Sequence, residues 1–159
     1  MGIPTGESLG RLVASVAVCL GAAGLGAFMT TPALRPWYAG LNKPPWTPPN
    51  WLFGPVWTVL YLAMAVAAWL VWQRTGLRHR PMKVFVLQLA LNVAWSGLFF
   101  GFRSPGAAFA EMIALWLAIL ATLIEFWKTM PAAGWLFIPY LIWVSFAAAL
   151  NFSIWRLNA

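Results

Sequence analysis

The sequence predicts an all-α membrane protein, a bundle of five transmembrane helices with a proline-rich lid loop between helices 1 and 2. Hydrophobic residues make up 62% of the 159 residues and charged residues only 8%, whereas roughly 25% of a soluble domain is charged. Five apolar runs, each long enough to cross a hydrocarbon core of about 30 Å, occupy most of the chain. The later runs are joined by short connections, as antiparallel neighbours in a bundle are. We therefore expect a single five-helix transmembrane domain over residues 1–159.

The five predicted spans are residues 12–29, 51–73, 84–102, 106–127 and 132–155. The first span follows Arg11 and has the length of a signal peptide. It lacks a clear small-x-small cleavage site, however, and its glycines and alanines offer the close-packing faces of a membrane helix. We therefore predict that this segment is retained as the first helix.

The connection over residues 30–50 holds six prolines, which disfavour a helix interior and favour extended backbone. They are Pro32, Pro36, Pro44, Pro45, Pro48 and Pro49. A loop of this length without regular structure is uncommon unless it has a task or is disordered. Its apolar side chains favour packing over disorder, so we predict that it forms a lid over the bundle, anchored by Trp37, Tyr38, Leu41 and Trp46.

The net charge of +7 does not indicate a nucleic-acid partner, because the basic residues stand singly or in one short cluster between apolar runs. That pattern is typical of membrane flanks that meet anionic headgroups, so membrane lipid is the expected partner. Cys19 and His79 are the only cysteine and histidine. A disulfide framework or a Cys/His metal site within one chain is therefore excluded, and no obligatory cofactor is expected.

The basic residues also predict an orientation in the membrane. The side that holds the N-terminus carries six of them, Arg11, Arg74, Arg78, Arg80, Lys83 and Lys128, and the other side carries four, Arg35, Lys43, Arg103 and Arg156. This difference places the N-terminus in the cytoplasm if the membrane is a plasma membrane. Five spans place the C-terminus on the opposite side.

Tryptophan is in large excess, with 12 residues in the chain. Six fall near the ends of predicted spans, where an interfacial aromatic belt accounts for them; they are Trp51, Trp69, Trp72, Trp127, Trp135 and Trp155. Trp57, Trp95, Trp116 and Trp143 lie well inside their spans. An indole N–H in hydrocarbon needs a partner, so we expect these four to face the bundle. Helix packing and a ligand pocket both remain open as explanations.

Three of the predicted helices carry stripes of residues one turn apart, which share a helix face. The stripes are Trp57 and Tyr61 in the second span, Gln88, Asn92 and Ser96 beside Trp95 in the third, and Trp143, Ala147 and Asn151 in the fifth. Polar amides inside a membrane point inward as contacts between helices or as ligand contacts. For Gln88 and Asn92 both interpretations remain open.

Glu111 is the only acidic residue deep inside a span. A proton-handling role is one interpretation, but we expect it to pair with a basic residue such as Arg103 or to reach the interface. No second acid lies at comparable depth, and the chain holds no Ser-His-Asp set and no phosphate-binding loop. The residues therefore predict no catalytic site.

Four stretches carry a resemblance to a known family. They are WYAGLNKPPWTPP at 37–49, GPVWTVLY at 54–61, QLALNVAW at 88–95, and IPYLIW at 138–143 with LNF at 150–152 and Trp155 and Arg156. Together they closely resemble the translocator protein family, also called the tryptophan-rich sensory proteins or peripheral benzodiazepine receptors. The resemblance covers essentially the whole chain.

The resemblance implies five transmembrane helices, a homodimer and the binding of porphyrins. By position, the family's pocket residues correspond to Tyr38, Trp57, Asn92, Trp143 and Ala147. Tyr61 and Trp95 stand beside them in the stripes and complete the predicted ligand site of seven residues. Arg35 or Lys43 at the mouth could meet porphyrin propionates, while no iron ligand is implied for haem.

One departure concerns sterols, which animal members bind. Their recognition pattern needs a tyrosine between an upstream Leu or Val and a downstream Lys or Arg, and this chain has Phe152 between Leu150 and Arg156. The missing hydroxyl argues against sterol transport. The remaining pattern suits a bacterial member in the cell envelope.

Three functions remain open at this point. The first is a tetrapyrrole-binding receptor or transporter with a sensory or regulatory role, which is the leading hypothesis. The second is an enzyme that degrades porphyrin with light and oxygen, in which Trp57 and Trp143 would be redox participants. The third is a proton-coupled drug transporter that relies on Glu111.

Overall fold

A computed structural model describes residues 6–159, and this part of the chain is helical without a strand. Five long helices run as α1 (Gly6–Leu34), α2 (Asn50–Thr75), α3 (Arg80–Ser96), α4 (Pro105–Thr129) and α5 (Pro131–Asn158). Each is long and apolar enough to cross a membrane, α3 together with the turn that follows it. The predicted set of five membrane-spanning helices is confirmed.

The predicted start of the proline-rich connection is wrong. The sequence predicts a connection from residue 30, but α1 continues to Leu34 with Pro32 inside. The proline lacks an N–H and so costs one backbone hydrogen bond, and it stands in the last turn. The hydroxyl of Thr30 donates to the carbonyl of Gly26 in the same region, and burial of Ala33, 4% exposed, holds the extra turn against the bundle. The proline-rich segment is therefore residues 35–49, called here the first connection.

A π-helical turn, Gly97–Gly101, continues α3. The N–H of Phe102 donates to the carbonyl of Gly97 at 2.8 Å, which marks the wider turn. The consecutive Phe99 and Phe100 are both buried, at 2% and 9% exposure, although neighbouring residues of an α-helix point in different directions. The chain then leaves the helix through Arg103, at a positive φ of 52°.

The buried residues form two clusters. The larger fills the centre of the bundle and includes Met64, Phe85, Phe126, Phe137 and Tyr140. The smaller lies at the end of the bundle that carries the first connection and includes Tyr38, Phe99, Phe100, Leu150 and Ile154. A short 3-10 turn, Tyr38–Gly40, brings the tyrosine into this second cluster.

Candidate functional site

A cavity of about 610 Å³ lies between α1, α2, α3 and α5, at the end of the bundle that carries the first connection. This volume falls in the range of about 300–1,000 Å³ that is typical of small-molecule and cofactor sites. All seven residues of the predicted ligand site line it: Tyr38, Trp57, Tyr61, Asn92, Trp95, Trp143 and Ala147. The stripes on three helices thus converge on one space, and the binding role of these residues stays a prediction.

Aromatic rings form much of the wall. Trp57 lies 5.8 Å from Tyr61 between ring centroids, in a tilted arrangement. Trp143 meets the ring of Phe53 edge-on at 5.8 Å. Offset and edge-to-face pairs are the favoured geometries of aromatic rings, so these pairs hold one another in place beside the open space.

A hydrogen-bond network lies behind the aromatic wall. The hydroxyl of Tyr61 donates to Oδ1 of Asn92 at 2.7 Å, and Nδ2 of Asn92 donates to the hydroxyl of Tyr140 at 2.6 Å. Tyr140 in turn donates to Oε1 of Gln88 at 3.0 Å. Gln88 is therefore a contact between helices and lies outside the cavity wall, whereas Asn92 joins helices and also lines the cavity.

The inner tryptophans divide into two groups. Trp57, Trp95 and Trp143 line the cavity, whereas Trp116 does not. The indole N–H of Trp116 donates to the hydroxyl of Ser145 at 2.8 Å, which joins α4 to α5. Trp95 donates to Oδ1 of Asn151 at 3.0 Å. Within the described residues, the buried N–H of Trp143 has no hydrogen-bond partner.

Part of the cavity wall is made of small residues on α1 and α2. Five of them are exposed as well as lining the cavity: Gly24, Ala27 and Thr31 on α1, and Gly54 and Thr58 on α2. Near its other end α1 is held to α2, where Trp69 donates to the carbonyl of Ser8 at 2.9 Å. Sequence reasoning missed this wall, because small residues on α1 indicated only close packing. It also assigned Trp51 to the aromatic belt alone, although this exposed ring lines the cavity.

The first connection packs on the same end of the bundle. Tyr38 is 5% exposed, and burial raises the pKa of its hydroxyl above the ordinary value, so the group is neutral at physiological pH. The ammonium of Lys43 lies 4.8 Å from the centre of the Tyr38 ring and donates to the carbonyl of Leu41 at 3.0 Å. Lys43 therefore stabilises the connection itself, and neither it nor Arg35 lines the cavity.

The expectation for Glu111 is wrong. Both carboxyl oxygens are buried and have no hydrogen-bond partner among residues 6–159. Glu111 shares a face of α4 with the buried Ala108 and Leu115, three residues before and four after it. Its side chain therefore points into the bundle. Arg103 lies in the exposed turn before α4 and forms no ion pair in the described chain. Glu111 does not line the cavity.

Two further residues lie away from the cavity. His79 is exposed just before α3, at the end of the bundle opposite the first connection. Phe152 is on the outer surface, with its ring 5.1 Å from that of Phe109. Neither residue lines the cavity.

The sequence model of the TspO/MBR family matches residues 15–156. The chain belongs to this family. It is 42% identical to the tryptophan-rich protein TspO of Archaeoglobus fulgidus, over 94% of this chain and 97% of the relative. It is 39% identical to the human translocator protein, over 99% and 89% of the two chains, and 43% identical to the tryptophan-rich sensory protein of Cereibacter sphaeroides, over 86% and 87%.

Family membership and the five candidate spans together make this an integral membrane protein. Relatives that are named as translocator and sensory proteins support a role as a membrane receptor or transporter. The resemblance seen in the sequence is thereby confirmed.

Proposed function

We propose that this protein binds a tetrapyrrole, protoporphyrin IX or haem, in the cavity and acts as a receptor or transporter with a sensory or regulatory role. The observation that carries this proposal is the convergence of Trp57, Trp95 and Trp143 with Asn92 on one cavity of about 610 Å³. Flat rings offer stacking surfaces to a macrocycle. The amide of Asn92, held by two tyrosine hydroxyls, offers a fixed polar point beside them.

The position of charge fits the same ligand. A porphyrin carries its propionates on one edge, and Arg35 is an exposed cation at the end of α1 nearest the cavity. With Lys43 engaged by the first connection, Arg35 is the better candidate to meet a propionate. Haem would be held through its ring, because His79 lies at the opposite end of the bundle and cannot reach the iron.

The first connection serves in this proposal as a lid over one end of the cavity. Tyr38 belongs both to the connection and to the cavity wall, and Trp46 lies 5.8 Å from the ring of Phe146 on α5. Prolines lower the conformational entropy that the segment loses on ordering. A connection built in this way can close over a ligand without a large entropic cost.

A second candidate is an enzyme that degrades porphyrin with light and oxygen. The observation that favours it is the pair of oxidisable rings, Trp57 and Tyr61, which lie 5.8 Å apart in the cavity wall. A bound, photoexcited porphyrin would meet these rings directly. In that case Trp57 and Trp143 would take part in redox steps in addition to stacking.

One experiment separates the two functions. The purified protein is incubated with protoporphyrin IX in light and in darkness while the absorption spectrum is recorded over time. Saturable binding with a stable spectrum in both conditions supports a receptor or transporter. Bleaching that requires light and native protein, and that is lost in Trp57→Phe, supports the enzyme. Absence of saturable binding in darkness and in light would reject the proposed function.

We also propose that the protein forms a homodimer through helical faces that carry small residues, because lipid supplies little hydrophobic drive for helix association and close approach must supply dispersion contacts. The mass in mild detergent and in lipid nanodiscs tests this. A strictly monomeric mass in both environments would count against a dimer.

A further inference from the structure

We infer that Asn158 latches the first connection to the end of α5 and thereby controls how fast a ligand enters and leaves the cavity. The gating part of this inference rests on the proposed function, whereas the latch itself does not. Asn158 lies outside the set of residues that line the cavity, so it would act as a positioning residue.

The latch consists of reciprocal hydrogen bonds between one side chain and one backbone unit. The backbone N–H of Asn42 donates to Oδ1 of Asn158 at 2.9 Å. Nδ2 of Asn158 donates to the backbone carbonyl of Asn42, also at 2.9 Å. A single side-chain amide thus satisfies both backbone polar groups of one residue in the connection, 116 positions away in the sequence.

Both ends of the latch lead directly to the cavity wall. Asn158 follows Ile154 by one turn of α5, and its Nδ2 also donates to the Ile154 carbonyl at 2.7 Å. Ile154 lines the cavity, as does Tyr38, which stands four residues before Asn42. The latch therefore joins the two elements that meet at this end of the cavity, and releasing it would allow them to separate.

The position of the latch suits reversible opening. Asn42 and Asn158 are both exposed, so water can replace each hydrogen bond when the connection moves away, and the net stabilisation from each bond stays modest. Apart from the long contact of 3.5 Å between Nδ2 of Asn42 and the carbonyl of Leu157, the other attachments found in the described residues are apolar and include Tyr38, Trp37 and the contact of Trp46 with Phe146. Loss of the latch should therefore loosen the connection without unfolding the bundle.

The structure supplies a matched pair of variants. Asn158→Ala removes both reciprocal bonds. Asn42→Ala keeps both, because both hydrogen bonds go to the backbone of residue 42, and the side-chain hydrogen bond that it loses is the long contact of 3.5 Å between Nδ2 of Asn42 and the carbonyl of Leu157. Each variant replaces one asparagine side chain by a methyl group at the same contact, and only Asn158→Ala opens the latch.

The first measurement is hydrogen–deuterium exchange on the ligand-free protein. In Asn158→Ala the amides of residues 38–43 should exchange roughly five- to tenfold faster, the scale expected for losing one or two modest hydrogen bonds. Asn42→Ala should stay within about twofold of the wild type on the same scale. Equal exchange in the wild type and Asn158→Ala would overturn the latch.

The second measurement is stopped-flow binding of protoporphyrin IX in darkness. The inference has the latch closed in both the empty and the occupied state, so its loss should raise the association and dissociation rates together, by roughly three- to tenfold, and leave Kd within about twofold. Faster amide exchange with unchanged binding rates would overturn the gating role. If Asn158→Ala only destabilised the cavity, Kd would rise, and a raised Kd would therefore also contradict the gating role.

A weaker variant keeps the test usable if Asn158→Ala fails to fold. Asn158→Ser keeps a short hydroxyl that can still donate to the carbonyl of Ile154 but cannot bridge both backbone groups of Asn42, so it should shift exchange and binding rates in the same direction, by no more than Asn158→Ala does. Lack of any saturable binding by the wild type would reject the proposed function and gating with it, while amide exchange would still decide whether the latch exists.

Discussion

The hydroxyl of Tyr61 donates a 2.7 Å hydrogen bond to the side-chain oxygen of Asn92, and this contact joins α2 to α3 in the middle of the bundle. The amide nitrogen of Asn92 extends the connection to α5 through Tyr140. Each of these polar groups has a partner on a neighbouring helix, in a part of the bundle where lipid can supply none. The same network fixes the side-chain amide of Asn92, which lines the cavity, so Asn92 serves both the stability of the bundle and the proposed binding function.

We predict that Asn92→Ala lowers the free energy of unfolding by about 1–3 kcal/mol, because it leaves the buried hydroxyl of Tyr61 without an acceptor. Tyr61→Phe removes the donor as well as the bond and should cost less, about 0.5–1.5 kcal/mol. Thermal unfolding in one detergent, followed by circular dichroism, measures both. A variant Asn92→Ala as stable as the wild type would show that the network does not support the fold.

A second prediction concerns the packing of α4 on α5. A Cβ at Gly134 would lie 2.6 Å from Cε3 of Trp127 and 3.0 Å from its backbone Cα, so Gly134→Ala must push the helices apart at a cost of about 1–3 kcal/mol. At Gly21, inside α1, a Cβ meets nothing within 4 Å, and Gly21→Ala should gain up to about 1 kcal/mol from helix propensity. Opposite shifts in melting temperature are expected, and shifts of the same sign would contradict the packing argument.

A third prediction tests the location of the site. Trp57→Ala or Trp143→Ala removes a stacking surface worth about 1–3 kcal/mol, on the scale of bases stacked on aromatic side chains, so porphyrin affinity should fall by roughly five- to a hundredfold. Trp72 does not line the cavity and lies under the guanidinium of Arg11, so Trp72→Ala should leave affinity nearly unchanged. Equal losses at Trp57 and Trp72 in folded variants would show that the cavity is not the binding site.

The five spans and the cavity wall on α2, α3 and α5 were predictable, because apolar length and one-turn spacing are local properties of the chain. Trp57, Asn92 and Trp143 could be placed together from depth alone. The wall on α1 was not predictable, because a glycine such as Gly24 has the same sequence signal whether it packs on a helix or borders a gap.

Other features depended on tertiary context. The sequence predicts a basic partner or an interfacial position for Glu111, but its place on α4 directs the side chain into the bundle. Its carboxyl oxygens have no hydrogen-bond partner among the described residues, and no local sequence pattern indicates this. The π-helical turn shifts the register after Gly97, and its buried phenylalanines look in the sequence like any apolar pair. Asn158 pairs with a backbone unit 116 residues away, which sequence reasoning from a single chain cannot find.

The last prediction concerns the cavity wall between α1 and α2, where the exposed Gly24 lines the cavity. Gly21 is exposed on the same helix but does not line the cavity, and a Cβ at either position meets nothing within 4 Å. Gly24→Leu and Gly21→Leu therefore gain the same helix propensity, up to about 1 kcal/mol, and neither clashes at Cβ. Only the first places a branched side chain at the cavity wall. The latch inference has the ligand enter at the end closed by the first connection, so Gly24→Leu and Gly21→Leu should bind porphyrin at association rates within about twofold of each other. Stopped-flow association in nanodiscs measures this. An association rate roughly tenfold lower in Gly24→Leu alone, with matching melting temperatures, would show that the ligand enters between α1 and α2 instead.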